Sequence, residues 1–431
     1  MLKRRGQLGS QRWHAAVDSG PILSRRSRAL WHLMLVVAAC ASATGPAGGQ
    51  TTYETRHYRI VSDLDRALTL DLAARADAMY AEYARRLVDF APPSDTVAAR
   101  FELRLFDRRR DYLMLTGDRF SNSGGIFMPG RNILAAYLEE QGRDSLRRTL
   151  QHEAFHQFAY TNISPNLPSW LDEGLSQIFE EAIFVDGRFQ LGEVPPRRVR
   201  QLRHDLNRGG LMAFRTLMSM SKEQWHLNLR DQQAAATLYN QSWAMVHFLV
   251  FAPESRDAKQ FRYRGRLIDW LRRIHAGEEP NEAFTRSFSD NIEGFEKLFT
   301  AFARDLDATP QARAVEHQTV LADLLIELHN RGRTFDTLPK FREEIVRGRY
   351  RIHYTKGSMQ WSTAEDPSVY FADLRGRPYK GDQLKFERNP DAPLPDLVCV
   401  PVDSLPMRTR FYRSDGKVER ETLVEPPPRR R

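Results

Sequence analysis

The stretch that decides the fold is Asp144–Ala159, which reads DSLRRTLQHEAFHQFA. Its apolar residues recur at helical spacing and form one stripe: Leu146, Leu150, Ala154 and Phe158. Asp144 or Ser145 can cap the start of the predicted helix. On such a helix His152 and His156 lie one turn apart on a shared face, so both imidazoles can reach the same metal ion.

Glu153 completes an HExxH motif with these two histidines. Because it directly follows the first candidate ligand, its carboxylate is placed to reach a water molecule on the metal rather than the metal itself, as a general base does. One alternative is an exposed helical face that merely carries two histidines and a glutamate. Another is a closed structural metal site, but this would need a further His or Cys, and none stands in an obvious place nearby.

A catalytic zinc ion needs a third protein ligand and an open fourth position. A third histidine would require Gly at position 159 and His at position 162, where the sequence has Ala159 and Asn162. The segment Pro168–Glu181 (PSWLDEGLSQIFEE) offers two adjacent carboxylates instead, Asp172 and Glu173. The third ligand is therefore expected on a second helix.

Helix geometry separates these two acids. Ser169 and Asp172 have the spacing of a capping box, which would occupy Asp172 at the start of the helix. Glu173 points about 100° further round the helix and has the longer side chain. Gly174 beside it lets a neighbouring backbone approach closely. We therefore expect one Zn²⁺ ion, no other cofactor, and three protein ligands: His152, His156 and Glu173.

Two motifs together, His152–His156 (HEAFH) and Trp170–Leu175 (WLDEGL), resemble the gluzincin signature, HExxH followed by W-L-x-E-G. Over about Tyr53–Asp307 the chain resembles the bacterial peptidase-MA-like proteins of that clan. The resemblance implies a zinc metallopeptidase that hydrolyses bonds in a peptide or protein substrate, with Glu153 as the general base.

The resemblance also implies a role for Tyr239. In gluzincin aminopeptidases, a tyrosine well downstream of the glutamate ligand donates a hydrogen bond to the oxyanion, and Tyr239 lies at a compatible distance, at the start of a predicted apolar helix. Packing of this ring at a helix end is the alternative. His247, two turns further along, is interpreted as a core histidine or one that supports a metal ligand.

In enzymes of this clan, an edge strand over the active-site helix binds extended peptides by main-chain pairing. Gly124–Phe127 or Ile133–Tyr137 would be that strand here. The acidic motif with which aminopeptidases recognise a free N-terminus is not visible near either segment. The resemblance therefore leaves open whether the enzyme is an endopeptidase or an exopeptidase.

The order of strand and helix patterns predicts an α+β fold. A gluzincin-like domain, with a small N-terminal mixed sheet and a mostly helical remainder, is expected over residues 51–309. A helical connector over 310–342 leads into a small β-rich C-terminal module over 343–424. Residues 1–50 are interpreted as a signal peptide and linker, and 425–431 as a disordered basic tail.

The formal net charge of +9 is concentrated at the N-terminus. Residues 1–50 hold seven basic residues against one acidic residue, which accounts for six of the nine charges. The remainder shows no basic stripe interleaved with aromatic residues, so nucleic acid is excluded as a partner.

The basic N-terminal segment has the layout of an export signal. Arg25, Arg26 and Arg28 precede a short apolar run and then small residues, which indicates export to the periplasm or cell envelope. Ala41–Ala43 suits ordinary cleavage, whereas Cys40 would be lipidated if Val37–Cys40 is a lipobox. A membrane contact is expected only through such an anchor.

The chain has one further cysteine, Cys399, so neither a disulfide framework nor a thiolate metal site is expected. Two other functions fit the same residues. One is a non-peptidase zinc amidase acting on the cell envelope, and the other is a non-enzymatic envelope lipoprotein or binding module. An intact base at Glu153 argues against the second, because a protein that does no catalysis has no need of it.

Overall fold

The computed structural model describes residues 49–91, 100–254, 261–356, 359–373 and 375–427. The predicted signal segment, with Cys40 and Ala41–Ala43, lies outside these residues, as does most of the predicted tail. The described residues form thirteen α-helices, a mixed sheet near the N-terminus and an antiparallel sheet near the C-terminus. The predicted α+β fold is confirmed. Every described helix is too short or too polar to cross a membrane.

The N-terminal sheet has the strand order β1-β2-β3-β5-β4. Its strands are β1 (Thr51–Glu54), β2 (Tyr58–Ser62), β3 (Phe101–Phe106), β4 (Gly125–Met128) and β5 (Ile133–Tyr137). The central strands β2, β3 and β5 are parallel, and β1 and β4 run antiparallel at the two edges. Helices α1 (Arg66–Arg86) and α2 (Arg109–Thr116) form the crossovers that parallel strands require.

A helical body follows the sheet. Its elements are α3 (Arg143–Asn162), α4 (Ser169–Glu180), the hairpin of β6 (Ile183–Val185) and β7 (Arg188–Gln190), α5 (Pro196–Asn207), α6 (Phe214–Met218), α7 (Lys222–Asn228), α8 (Gln232–Phe251), α9 (Arg264–His275), α10 (Pro280–Ser287) and α11 (Ile292–Asp305). They share one hydrophobic core with the sheet. Buried aromatic residues, such as Phe155, Phe158 and Trp243, hold α3 and α8 in this core.

Gly174 brings α4 against α8. A Cβ atom at this position would lie only 2.5 Å from the carbonyl oxygen of Ser242 and from Cγ2 of Val246. No larger residue fits without moving one of the helices, because a backbone oxygen cannot give way. The close approach predicted for Gly174 is confirmed, and it fixes the helix that carries Glu173.

The C-terminal part has its own hydrophobic core. Its elements are α12 (Pro310–Asn330), α13 (Leu338–Gly348), the hairpin of β8 (His353–Lys356) and β9 (Met359–Ser362), and the four-stranded antiparallel sheet β10 (Leu384–Glu387), β11 (Asp396–Cys399), β12 (Met407–Ser414) and β13 (Lys417–Val424). Helices α12 and α13 contribute Leu321, Leu325 and Phe341 to this core, opposite Leu397 and Phe411 of the sheet. The β-rich character predicted for residues 343–424 is confirmed by the four-stranded antiparallel sheet.

Charged residues dock β13 onto the first turns of α3. Glu421 accepts a hydrogen bond from Arg147 at 2.9 Å, and both side chains are buried. Asp144 accepts one from the guanidinium of Arg420 at 3.1 Å, and Asp323 on α12 accepts two more from that group. These five residues, together with Asp71 on α1, which accepts from Arg147 at 3.0 Å, are called the docking network below.

The predicted cap of α3 is wrong. The helix begins at Arg143, and the capping position is Gly142, which has a φ of 73° and makes no side-chain cap. This left-handed conformation favours glycine. The carboxylate of Asp144 accepts the backbone N–H of Thr422 at 3.1 and 3.0 Å instead, so it serves the docking network rather than its own helix.

Candidate metal centre

The three predicted metal ligands converge on one point. The two Nε2 atoms of His152 and His156 lie 3.1 Å apart. Glu173 on α4 places Oε2 at 3.3 Å from Nε2 of His152 and Oε1 at 3.9 Å from Nε2 of His156. One ligand atom from each residue lies within 4.8 Å of the other two.

These separations fit a tetrahedral zinc site. Zinc–ligand distances of about 2.0–2.2 Å at a tetrahedral angle place neighbouring ligand atoms about 3.4 Å apart. The distances of 3.1 Å between the two rings, and of 3.3 and 3.9 Å from the rings to the two different oxygens of Glu173, lie around this value. Three protein ligands leave a fourth position for water or substrate, as in catalytic rather than structural sites.

The hydrogen bonds of the two rings leave their lone pairs facing each other. Nδ1 of His152 lies 3.3 Å from Oε2 of Glu180, and Nδ1 of His156 lies 3.0 Å from Oδ2 of Asp172. A carboxylate can only accept, so in the neutral form of each ring, which is the form that binds a metal ion, Nδ1 carries the proton and Nε2 presents a lone pair. Oε2 of Glu173 is buried and makes no hydrogen bond to the described residues. Three electron-rich groups placed together in this way are suited to a cation.

The reason given for preferring Glu173 over Asp172 is wrong, although Glu173 is the acid that faces both rings. Helix α4 begins at Ser169, its capping position is Pro168, and no side chain caps it. Asp172 is therefore not held in a capping box. It orients His156 instead, with help from the hydroxyl of Ser176, which lies 3.2 Å from the same ring nitrogen.

The sequence prediction missed Asp172 and Glu180 as partners of the histidines. A signal for Glu180 was available, because it follows Glu173 by seven residues and therefore lies on the same face of α4, two turns on. Such outer carboxylates fix the orientation of the imidazoles and raise their basicity. The packing of α4 against α3 determines that Glu180 contacts His152 and that Asp172 contacts His156.

Charge outweighs burial at both histidines. Burial alone would lower the pKa of His156, but the negative charges of Asp172 and Glu173 raise this pKa to about 9. At His152 burial also acts downwards, and contacts with Glu173 and Glu180 raise the pKa well above its usual value. The centre therefore attracts positive charge strongly, whether the charge comes from protons or from a metal ion.

Glu153 points into a cleft of about 610 Å³ that also contains the three candidate ligands. Its Oε2 accepts a hydrogen bond from the backbone N–H of Phe127 at 2.9 Å, which fixes the carboxylate beside the edge strand β4. Burial raises the pKa of Glu153, and the neighbouring His152 and His156 limit the rise. A carboxylate with a raised pKa can both accept a proton and release it.

Tyr239 lines the same cleft, but it is not at the start of its helix. Helix α8 begins at Gln232, so Tyr239 lies two turns inside it, with its ring against Trp225 at a centroid distance of 5.9 Å. The charge of Glu173, together with burial, raises the pKa of Tyr239 well above its usual value. The phenol therefore keeps its proton and can donate a hydrogen bond within the cleft.

His247 belongs to the core. It is almost fully buried among the rings of Trp243, Phe251 and Phe302 and is not part of the metal cluster. Burial lowers its pKa to about 4, so this imidazole is neutral at physiological pH. Of the two roles considered for His247, the structure supports packing.

The strand beside the cleft is β4, so the first of the two predicted segments is the edge strand. Gly125, Ile126 and Phe127 line the cleft, and β4 packs over α3. The second candidate, Ile133–Tyr137, is β5 and lies between β3 and β4 inside the sheet. As a possible substrate edge it is wrong, because its main chain is paired on both sides.

Comparison with known proteins gives a family match for part of the chain. A family model described as a protein of unknown function (DUF1570) matches residues 147–263. This range runs from the second turn of α3 to the end of α8 and beyond, so it contains the three candidate ligands, Glu153 and Tyr239. No curated protein matches the chain.

Proposed function

We propose that this protein is an exported, zinc-dependent peptidase. The observation that carries the proposal is the convergence of the ligand atoms of His152, His156 and Glu173 beside the half-buried carboxylate of Glu153. Residues that only packed against each other would not need three acceptors around one point. Export is inferred from the basic and apolar pattern of residues 25–43.

The residues divide the work as follows. Asp172 and Glu180 hold the imidazoles so that His152, His156 and Glu173 can bind the ion together. When bound, zinc would polarise the scissile carbonyl and make a water molecule more acidic. Glu153 accepts the proton of the attacking water and later delivers it to the leaving amine, for which its raised pKa is suited.

Two further groups favour a peptide as the substrate. The edge strand β4 borders the cleft and, among the residues that the structure describes, has no strand on its outer side, so an extended peptide can lie along it while the N–H of Phe127 stays bonded to Glu153. Tyr239 supplies an O–H group that can donate to the oxygen on which negative charge develops. Both features serve an amide bond within a chain better than a small isolated amide.

The test combines metal analysis with peptide cleavage. The exported form of the protein, purified without added metal, should contain about one zinc ion per chain and cleave members of a diverse peptide library. Removal of zinc with a chelator should abolish cleavage, and added zinc should restore it. Cleavage of envelope-derived amides alone would favour the amidase. Absence of both zinc and hydrolysis would leave a binding module and overturn the proposal.

A further inference from the structure

One residue in the wall of the metal cleft comes from the C-terminal part of the chain. Met359, the first residue of β9, lines the cleft together with His152, Glu180 and Arg198. It lies far outside the range of the family match, residues 147–263. The C-terminal part therefore contributes to the cleft itself and not only to the outside of the protein.

The neighbouring residues hold β9 in this position. Along the strand, Met359 and Trp361 are half-buried, whereas Gln360 and Ser362 are exposed. Trp361 stacks on Tyr354 of β8, with ring centroids 5.3 Å apart and planes 19° from parallel. The guanidinium of Arg200 on α5 lies over the ring of Trp361, 6.0 Å from the ring centroid.

The hairpin is also connected to the helix that carries the histidines. The hydroxyl of Tyr354 donates to Asp323 at 2.8 Å, and Asp323 accepts from Arg420 at 2.5 Å. Arg420 in turn donates to Asp144 at the start of α3. A continuous chain of contacts thus links the strand of Met359 to the helix of His152, which restricts their relative movement.

Met359 adds an apolar side chain to a wall that also contains the polar residues His152, Glu180 and Arg198. Arg198 also lines the cleft, but it is buried and donates hydrogen bonds to Glu181 at 2.7 Å and to Gln177 at 2.6 Å. Its charge is therefore satisfied within the protein. The thioether of Met359 is flexible and polarisable, and such side chains adapt to apolar groups of different shapes.

We propose that Met359 is a specificity-determining residue that contacts an apolar side chain of the bound peptide. The inference rests on the proposed function, because it takes the cleft to be the peptide-binding site. It assigns to the C-terminal hairpin a part in substrate selection, and it predicts that the substrate residue beside Met359 is aliphatic or aromatic.

The experiment compares the cleavage profiles of four proteins on one peptide library: the wild type, Met359→Ala, Met359→Glu and Gln360→Ala. Met359→Ala should lower kcat/KM roughly tenfold for peptides with a large apolar residue at the selected position, because an apolar contact is lost. Met359→Glu should shift the preference at that position towards Lys and Arg. Gln360→Ala changes the exposed face of the same strand and should keep the wild-type profile.

A second readout does not depend on turnover. Zinc-chelating peptide hydroxamates with an apolar or a polar side chain are titrated into zinc-loaded Glu153→Gln, with and without Met359→Ala. The apolar compound should lose its advantage when Met359 is replaced, while the zinc content stays constant. The same outcome is expected even if no library peptide is a good substrate.

Two results would overturn the inference in different ways. Unchanged profiles and unchanged hydroxamate selectivity in both Met359 variants would remove the role of Met359 and leave the peptidase proposal standing. A uniform loss across all peptides, with a lower Tm, would show that Met359 only stabilises the fold. If the wild type neither cleaves peptides nor binds hydroxamates, the proposed function fails as well.

Discussion

Helix α3 carries two polar regions, each at least half-buried, that differ in how completely their charges are paired. In the docking network, Arg147 lies between the carboxylates of Asp71, Asp144 and Glu421, and Arg420 faces Asp144 and Asp323. Two turns further on, His152 and His156 direct their lone pairs at each other and at Glu173. The first region satisfies its charges within the protein, whereas in the second we propose that a bound metal ion completes the pairing.

This difference separates stability from function. A buried group whose partners are all present contributes to stability, and removing one partner leaves an uncompensated charge. A buried group that faces an open cleft costs desolvation and is retained for chemistry. Substitutions in the two regions should therefore change different quantities.

Glu153→Gln should have the largest effect, and only on turnover. Loss of the general base should lower kcat by about 10²- to 10⁴-fold, because the amide cannot accept the proton. Zinc content should match the wild type, since Glu153 is not among the three converging ligands. The measurements are steady-state kinetics and metal analysis. Full activity in this variant would remove Glu153 from the mechanism.

Glu421→Gln should show the opposite pattern. It removes the charge of one of three carboxylates around the buried Arg147. We expect the free energy of unfolding to fall by about 3 kcal/mol. This is the lower end of the range for breaking a buried ion pair, because Asp71 and Asp144 remain. The matched control is Asp415→Asn, whose partner Arg108 is exposed, and it should unfold close to the wild type. Urea titrations measure both. Equal stability of the two variants would contradict a structural role for the docking network.

His247 extends the comparison to a buried histidine without acidic neighbours among its ring contacts. Its pKa is about 4 in the folded protein, compared with 6.5 for the ordinary side chain. The unfolded chain therefore binds this proton more readily, and stability that is present above pH 6.5 is lost as the pH falls towards 4. The shift corresponds to about 3 kcal/mol.

His247→Phe should remove this acid sensitivity and keep the aromatic packing with Trp243 and Phe251. The free energy of unfolding is measured for the metal-free wild type and variant at pH 7 and pH 4. The drop between the two values should be smaller by about 3 kcal/mol in the variant. An equal drop in both proteins would place the acid-sensitive group elsewhere.

Local patterns in the sequence predicted much of this centre. The spacing of His152 and His156 in a helix sets their common face, so the pair could be found without a structure. Glu173 followed from the need for a third ligand. The α+β class followed from the change of periodicity along the chain.

Contacts between distant segments could not be predicted in this way. Asp144 was predicted to cap its own helix. Its actual partner, Thr422, is 278 residues further along the chain and could not be predicted from local spacing. Asp172 was predicted to lie in a capping box. Its contact with His156 depends on how α3 packs against α4, which local spacing does not show. Met359 gave no signal at all, since its place in the cleft depends on the fold of the C-terminal part.

Asp172→Asn tests whether the charges around His156 serve a bound metal ion, as we propose, or pair with one another as those of the docking network do. The amide keeps the shape of the side chain but removes the charge that holds the Nδ1 proton of His156, so zinc affinity should fall about 10- to 100-fold. Competition with a chelator of known affinity measures the change.

The stability of the metal-free protein separates the two explanations of Asp172. If Asp172 serves the ion, the metal-free variant should unfold close to the metal-free wild type at a pH above 9, where His156 is neutral in both proteins and Ser176 still contacts its ring nitrogen. If Asp172 instead belongs to a structural network like that of Arg147, the metal-free variant should lose stability on the scale of Glu421→Gln while its zinc affinity stays the same. Because the two explanations predict opposite results for zinc affinity and for the stability of the metal-free protein, this one variant decides whether the polar residues around His156 serve a metal ion or the stability of the fold.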